Sequence, residues 1–201
     1  MTRLLLARHG QSEWNAEGRW QGHADPGLSD LGRRQARAAA DAIGMVDAIV
    51  ASDLQRALET AEIIAEVLGV GPVEIEPLFK ERDVGEWSGL TRVEIEERWP
   101  GWIDDPAQRR PDGWESDEQL LDRALQAIAA MAVRYPGADV LVVTHGGLIS
   151  ALERLHFGLE RQPTANLAAR WVEVDGERLR PGDRLVLVDP HDAAVTVPQQ
   201  Q

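Results

Sequence analysis

Two short apolar runs, each ending in histidine followed by glycine, most constrain the fold of this chain. The first run ends at His9-Gly10 and the second at His145-Gly146. Apolar runs of this length are typical of strands buried on both faces, and open α/β sheets bind ligands at the carboxyl ends of such strands. We therefore expect both imidazoles at one edge of one sheet. The alternative for either histidine alone is an ordinary polar residue at a strand end.

Strand and helix patterns alternate along most of the chain. Strands are predicted at 3–8, 46–51, 73–75 and 140–144, with a hairpin of 171–174 and 185–188. Helices are predicted at 31–43, 52–68, 116–131 and 147–155. Residues 11–28 are expected to form a loop, and the tryptophan-rich residues 81–115 a lid-like insertion with short helices. The alternation predicts the α/β class, as a three-layer α/β/α sandwich around a mostly parallel sheet.

Length and composition limit the number of domains and the classes of binding partner that we expect. We expect one domain over residues 1–190 and a flexible tail over 191–201. The net charge of -13 disfavours a nucleic-acid partner, although a local basic pocket is still compatible with a small anionic substrate. The chain contains no cysteine, which suits the cytoplasm. No run approaches the ~18 apolar residues of a membrane span, and Arg8 interrupts the first run too early for a signal peptide.

The residues expected at the sheet edge suit phosphoryl transfer. Arg8 precedes His9, Arg56 lies one turn into the helix after the second strand, and Glu81 follows the third strand region. Arginine forks bind phosphoryl oxygens, and nearby guanidinium charges keep an imidazole neutral and nucleophilic. A carboxyl group such as Glu81 can give a proton to a departing alkoxide. The pattern predicts transfer through a phosphohistidine without a metal; the alternatives are a solvated loop carboxylate at Glu81 and a surface arginine at Arg56.

Six ordered motifs extend this pattern over residues 3–175. They are LARHGQSEWN at 6–15, QGHAD at 21–25, LSDLG at 28–32, SDLQRALETA at 52–61, ERDVGEWSGL at 81–90 and THGG at 144–147. Together they resemble the histidine phosphatase superfamily, the phosphoglycerate-mutase-like proteins, and in particular its phosphatase branch. The resemblance implies a phosphoglycerate-mutase-like fold.

The resemblance also implies catalytic roles. His9 would be the nucleophile that becomes phosphorylated, and Glu81 would be the general acid for the leaving group and later the base for water. His145 would complete the catalytic set. The groups implied to bind phosphoryl oxygens are Arg8, Arg56, His145 and the amide of Gly146. No metal ligand and no cofactor are implied.

Further residues are implied around the substrate. Asn15 and Gln21 would line the pocket, and Ser52 would orient His9. The tryptophans near the motifs either line the mouth and favour a leaving group with an apolar part, or simply pack the loops; they are Trp14, Trp20, Trp87 and Trp114.

Two activities fit the motifs, a phosphomonoesterase acting on a small phosphorylated metabolite and a cofactor-dependent phosphoglycerate mutase. Mutases of this superfamily usually carry a longer insertion between the positions of Glu81 and His145, and longer tails, than this chain of 201 residues. Hydrolysis is therefore the favoured expectation. A non-catalytic binder of phosphorylated ligands is a third alternative. The sequence leaves open which phosphoester is bound and whether the chain forms a homodimer.

Overall fold

A six-stranded mixed sheet forms the centre of the computed structural model, which describes residues 1–105, 107 and 109–189. Its strands are β1 (Thr2–Arg8), β2 (Ala48–Ala51), β3 (Glu74–Ile75), β4 (Asp139–Thr144), β5 (Ala168–Asp175) and β6 (Arg178–Val186). Their spatial order is β3-β2-β4-β1-β5-β6. The first four strands pair in parallel, and β5 and β6 are antiparallel. The expected mostly parallel α/β sheet is confirmed.

Helices cover both faces of this sheet. They are α1 (Glu13–Glu17), α2 (Asp30–Ile43), α3 (Gln55–Leu68), α4 (Arg92–Arg98), α5 (Asp117–Arg134) and α6 (Gly146–Ala151). Alternate side chains of β1 enter different cores: Leu4 and Leu6 pack with α5 and α6, whereas Leu5 packs with α2 and α3. Each of these leucines is fully buried, which stabilises the fold by roughly 1.5–3 kcal/mol per side chain. The two cores produce the expected three layers.

Several boundaries differ from the sequence predictions for local reasons. Helix α1 lies inside the predicted loop 11–28, because Ser12 and Asn15 cap each other's backbone and start a single turn. The predicted helix 147–155 changes to a π-helical turn at Leu152–His156. Strand β6 extends through Pro181, which is tolerated because the strand lies at the sheet edge.

Residues 81–105, 107 and 109–115 form an irregular cap with a 3₁₀ turn at Gly85–Trp87 and helix α4. Tryptophan side chains hold this region together; Trp20 and Trp87 are buried, and Trp114 lies against both rings. Among the described residues, no helix is long and apolar enough to span a membrane. The tail predicted at 191–201 lies outside the described residues, and the single domain over 1–190 stays a prediction.

Candidate active site

The two histidines lie side by side because β1 and β4 are neighbouring parallel strands. Arg8 is paired in register with Thr144, so both strands end at the same level. The His9 amide donates to the Thr144 carbonyl over 3.0 Å. The His9 and His145 ring centroids are 5.2 Å apart with an interplanar angle of 60°. The parallel sheet thus brings together side chains from opposite ends of the chain.

The tautomer of His9 follows from its hydrogen bond. Its Nδ1 atom lies 2.6 Å from the Gly10 carbonyl oxygen. A carbonyl oxygen can only accept, so Nδ1 carries the proton and the Nε2 lone pair of the neutral ring is available for attack. His9 is 2% exposed, and burial is the main cause that lowers its pKa well below the usual range. The charges of Arg56 and Arg8 lower this pKa further, so His9 is neutral at physiological pH.

His145 contacts Ser52 and keeps one ring nitrogen for a ligand. The Ser52 hydroxyl oxygen lies 2.9 Å from His145 Nε2. The family resemblance implied that Ser52 orients His9. In the structure Ser52, which follows β2, instead contacts His145, because the neighbour of β2 in the sheet is β4 and not β1. Within the described part of the chain, His145 Nδ1 is buried with no hydrogen-bond partner. Burial, then the charge of Arg56, lowers the pKa of His145 well below the usual range.

Two buried guanidinium groups flank the imidazoles. Arg8 donates to the Thr164 carbonyl over 2.6 Å, and Arg56 donates to the Ala24 and Gly22 carbonyls over 2.8 and 2.9 Å. Burial lowers the pKa of each arginine to about 10, against the opposing charge of Glu81, so both stay charged at neutral pH. Among the described residues, the buried Nε of Arg56 has no hydrogen-bond partner. These cations suit a bound anion, which would compensate them.

Glu81 lines a cavity that Arg8 also lines. Its two carboxylate oxygens accept hydrogen bonds from the Arg82 amide over 2.7 Å and the Gly147 amide over 3.1 Å. A Cβ atom on Gly147 would lie 2.3 Å from Glu81 Oε1, so glycine is required for this close approach. Helix α6, which follows His145 directly, therefore positions the carboxylate, whose charge also acts on Arg8 and Arg56.

The predicted pocket residues divide into two groups. Gln21 and Gly146 line the cavity together with Arg8 and Glu81. Asn15 is buried beside it, where its side-chain oxygen accepts from the Ser12 amide over 3.2 Å. The Ser12 hydroxyl donates to Gln21 Oε1 over 2.7 Å. The expected roles of these residues toward a substrate stay predictions.

The cavity has a volume of about 730 Å³ and reaches from Arg8 and Gly146, the chain neighbours of the two histidines, to the tryptophan cap. His9, His145 and Arg56 are not among the residues that line it. Trp20, Trp87 and Trp114 form one wall, and Trp14 is not among the lining residues. These three tryptophans both pack the cap and line the cavity. The expected preference for a leaving group with an apolar part stays a prediction. Four arginines also line the cavity, and two of them lie over tryptophan rings of the cap; the four are Arg82, Arg110, Arg154 and Arg161.

Sequence reasoning missed a buried segment that lies under the site. Thr164 and Asn166 are fully buried, and Asn166 donates to the His9 carbonyl over 3.0 Å. The adjacent Leu167 has φ 55°, which is uncommon for a leucine, and its amide donates to the Arg8 carbonyl over 3.1 Å. Arg123 on α5 was also missed. These residues contact backbone atoms, and such contacts leave no periodic or motif signal in a sequence.

No group of three or more metal-ligating side chains occurs among residues 1–105, 107 and 109–189. The donors around the histidines are guanidinium and imidazole groups and backbone amides, and these bind an anion rather than a cation. The arrangement is that of a phosphoryl-binding site with an unprotonated nitrogen beside it.

Comparison with known proteins defines the family. A family model for the histidine phosphatase superfamily (branch 1) matches residues 4–180. The chain belongs to the histidine phosphatase superfamily, and the resemblance drawn from its motifs is confirmed.

Named relatives place it among the phosphatases. The chain is 39% identical over 198 residues to a glucosyl-3-phosphoglycerate phosphatase of Mycolicibacterium vanbaalenii, covering 90% of this chain and 87% of the relative. It is 38% identical over 160 residues to a metal-independent phosphoserine phosphatase of Arabidopsis thaliana, covering 76% and 67%. The expectation of a phosphomonoester hydrolase is thereby confirmed, and the mutase alternative is less supported.

Solved structures agree in fold. A mycobacterial glucosyl-3-phosphoglycerate phosphatase in complex with VO3 superimposes with a TM-score of 0.79 at 32% identity, over 90% of this chain and 97% of the other. A phosphoserine phosphatase of Entamoeba histolytica in complex with 3-phosphoglyceric acid gives a TM-score of 0.77 at 26% identity, over 92% and 96%. The phosphoglycerate-mutase-like fold is confirmed.

Proposed function

We propose that this histidine phosphatase hydrolyses its substrate, without a metal, through a phosphohistidine on His9. The observation that carries the proposal is the His9 hydrogen bond to Gly10, which leaves Nε2 unprotonated in a buried, cationic surrounding. In the first step Nε2 attacks phosphorus, the bond to the ester oxygen breaks, and Arg8, Arg56 and His145 stabilise the phosphoryl oxygens. Removing one such donor in other enzymes costs about 10²–10³ in rate.

Glu81 manages the protons in both steps. In the first step protonated Glu81 gives its proton to the departing alkoxide, which leaves as an alcohol. In the second step the carboxylate takes a proton from a water molecule whose oxygen attacks phosphorus. The bond to His9 then breaks, which releases inorganic phosphate and restores both groups. General acid–base assistance of this kind typically contributes 10²–10⁴-fold.

We propose that the leaving alcohol carries a carboxylate. Arg110 lies between two rings of the cap, with its Cζ atom 5.2 Å from the Trp114 centroid and 5.9 Å from that of Trp87. Burial, and then the neighbouring Arg82, lowers the pKa of Arg110. Arg110 donates to the Trp102 and Arg109 carbonyls over 3.2 and 2.7 Å, and the charges of Asp117 and Asp105 partly offset the effect of Arg82. Among the described residues no carboxylate lies within ion-pair distance of Arg110, so a substrate carboxylate would give it a directly bonded anionic partner. The names of the relatives, which specify phosphoglycerate and phosphoserine substrates, point the same way.

A matched pair of substrates tests this class. 3-Phosphoglycerate has the carboxylate, and glycerol 3-phosphate has a hydroxymethyl group in its place. We expect Arg110→Gln to lower kcat/KM for 3-phosphoglycerate by about tenfold or more, the value of one charged hydrogen bond, with little effect on glycerol 3-phosphate. Equal losses on both substrates would contradict the carboxylate proposal. Glucosyl-3-phosphoglycerate tests whether the tryptophan wall accepts a sugar.

Hydrolysis and mutase activity are separated by their products. Phosphate release from 3-phosphoglycerate, undiminished by a chelator, is expected. Efficient interconversion with 2-phosphoglycerate after priming with a bisphosphoglycerate, with little phosphate released, would contradict the proposal.

The cysteine-free composition keeps the cytoplasm as the proposed location. A homodimer stays a prediction.

A further inference from the structure

Glu81 is carried by an irregular segment whose backbone carbonyls are held from outside. Arg123 donates to the carbonyls of Leu78, Lys80 and Glu81 over 2.8, 2.6 and 2.8 Å. The Thr144 hydroxyl donates to the Phe79 carbonyl over 2.7 Å. Four consecutive carbonyls therefore find side-chain donors instead of partners in a sheet ladder, and three of the four accept from one guanidinium group. The Glu81 carbonyl also lies 2.7 Å from His23 Nε2, whereas Arg123 is the side-chain donor given for Leu78 and Lys80.

Glu115 holds this guanidinium in place. Arg123 Nε donates to Glu115 Oε1 over 2.6 Å, and Nη2 donates to Oε2 over 2.8 Å. An arginine has five N–H donors in a planar fork, and these two bonds with the three to carbonyls use all of them. Glu115 Oε2 also accepts from the Asp83 amide over 3.1 Å. The pair thus contacts the backbone on both sides of Glu81.

The pair is itself fixed by the core. Arg123 lies on α5, and the adjacent Ala124 packs into the sheet core. The Arg123 and Glu115 side chains are 16% and 14% exposed, so their ion pair is shielded from water. Burial raises the pKa of Glu115, but the hydrogen bond and charge of Arg123 outweigh this effect and the pKa lies below its ordinary value. The Glu115 carboxylate therefore stays charged opposite Arg123 at neutral pH.

We infer that Arg123 and Glu115 are positioning residues that hold the Glu81 carboxylate at proton-transfer distance from the leaving oxygen. The inference rests on the proposed role of Glu81. Proton transfer requires a heavy-atom separation of about 2.6–3.2 Å, so a small shift of the segment removes the acid while leaving the phosphoryl site intact. Lysine at position 123 keeps the charge but has no fork, and cannot bind Glu115 and three carbonyls together.

The test compares leaving groups that differ in their need for a proton. Nitrophenolate departs from p-nitrophenyl phosphate as a stable anion, whereas glycerol 3-phosphate loses an alkoxide that needs protonation. For Arg123→Lys and Glu115→Gln, we expect kcat/KM for glycerol 3-phosphate to fall about 10–100-fold relative to p-nitrophenyl phosphate. The ratio is measured on one sample, so a lower folded fraction cancels. Arg134→Lys, on the same helix but exposed and paired with Glu74, is the matched control and keeps the wild-type ratio.

Glu81→Gln separates the two possible failures. We expect Glu81→Gln to lower the ratio of kcat/KM for glycerol 3-phosphate to that for p-nitrophenyl phosphate. If it does so but Arg123→Lys and Glu115→Gln keep the wild-type ratio, the positioning inference is overturned, even if these two variants are slower on both substrates. An unchanged ratio in Glu81→Gln would instead refute the proposed acid role of Glu81. If Arg123→Lys does not fold, as judged by its thermal transition, Glu115→Gln carries the same test, because it weakens the anchor of the guanidinium without removing it.

Discussion

Gly147 has no side chain, which allows the Glu81 carboxylate to approach the start of helix α6. A Cβ there would meet the tip of a flexible side chain, which can move at little cost. Alanine is also favoured over glycine inside a helix by about 1 kcal/mol. We expect Gly147→Ala to keep or raise the Tm while lowering kcat/KM for alkyl phosphates by about tenfold or more, since a 1 Å misplacement can cost 10²-fold.

Gly32 gives the contrasting result. A Cβ on Gly32 would lie 2.0 Å from the Gln11 carbonyl oxygen, which is backbone and cannot turn aside. Gly32→Ala should therefore lower the Tm, as thermal unfolding followed by circular dichroism will show. If Gly147→Ala lost stability to the same extent, the approach of Glu81 to α6 would be structural rather than functional.

At the residue scale, functional side chains that directly follow a strand can be found in the sequence. Side chains that act by hydrogen bonding to main-chain atoms cannot. His9 and His145 could be located because apolar runs end at them. Ser52 was placed against the wrong imidazole, because its partner depends on the order β2-β4-β1, which no local pattern specifies. Arg123 gave no signal, because its acceptors are main-chain carbonyls that every residue has.

At the scale of elements, the buried segment 164–167 is irregular, but its hydrogen bonds hold the backbone of the two residues that begin the phosphoryl site. Its bonds reach the carbonyls of His9 and Arg8, just beyond the end of β1. We expect Asn166→Ala to lower the free energy of unfolding by about 1–3 kcal/mol, because it removes a donor from a buried carbonyl. Activity toward p-nitrophenyl and glycerol phosphates should fall together, since the segment positions the nucleophile and not the acid. A selective loss on glycerol 3-phosphate would contradict this assignment.

Elements with strong periodicity were predicted closely, and short or irregular ones were not. Helix α5, predicted at 116–131, has an apolar stripe and begins with a capping box formed by Ser116 and Gln119. Helix α1 has only five residues, too few for a hydrophobic period. Strand β6 contains Pro181 and Gly182, which indicate a turn unless the strand is known to lie at an edge.

At the scale of the whole molecule, burial of two neutral imidazoles makes folding depend on pH. Unfolded histidines bind protons near pH 6.5, whereas His9 and His145 in the folded protein do so only at much lower pH. Unfolding below pH 6.5 therefore takes up protons, and stability present above that pH is lost as the pH falls. The loss approaches about 1.4 kcal/mol per pH unit for each histidine.

Urea unfolding from pH 7.5 to 5.5, in buffer without phosphate, measures this slope. His145→Gln should remove about half of it. If the free energy of unfolding does not change over this range, the imidazoles take up protons in the folded protein as they do in the unfolded chain. That result would contradict a neutral, nucleophilic His9.

Trapping the phosphoenzyme tests the central claim most directly. The protein is mixed with ³²P-labelled 3-phosphoglycerate, quenched in alkaline denaturant within the first turnover, and its peptides are mapped. We predict label on the peptide containing His9, lost on acid treatment and absent from His9→Ala. Label on another residue, or normal turnover by His9→Ala, would contradict the account.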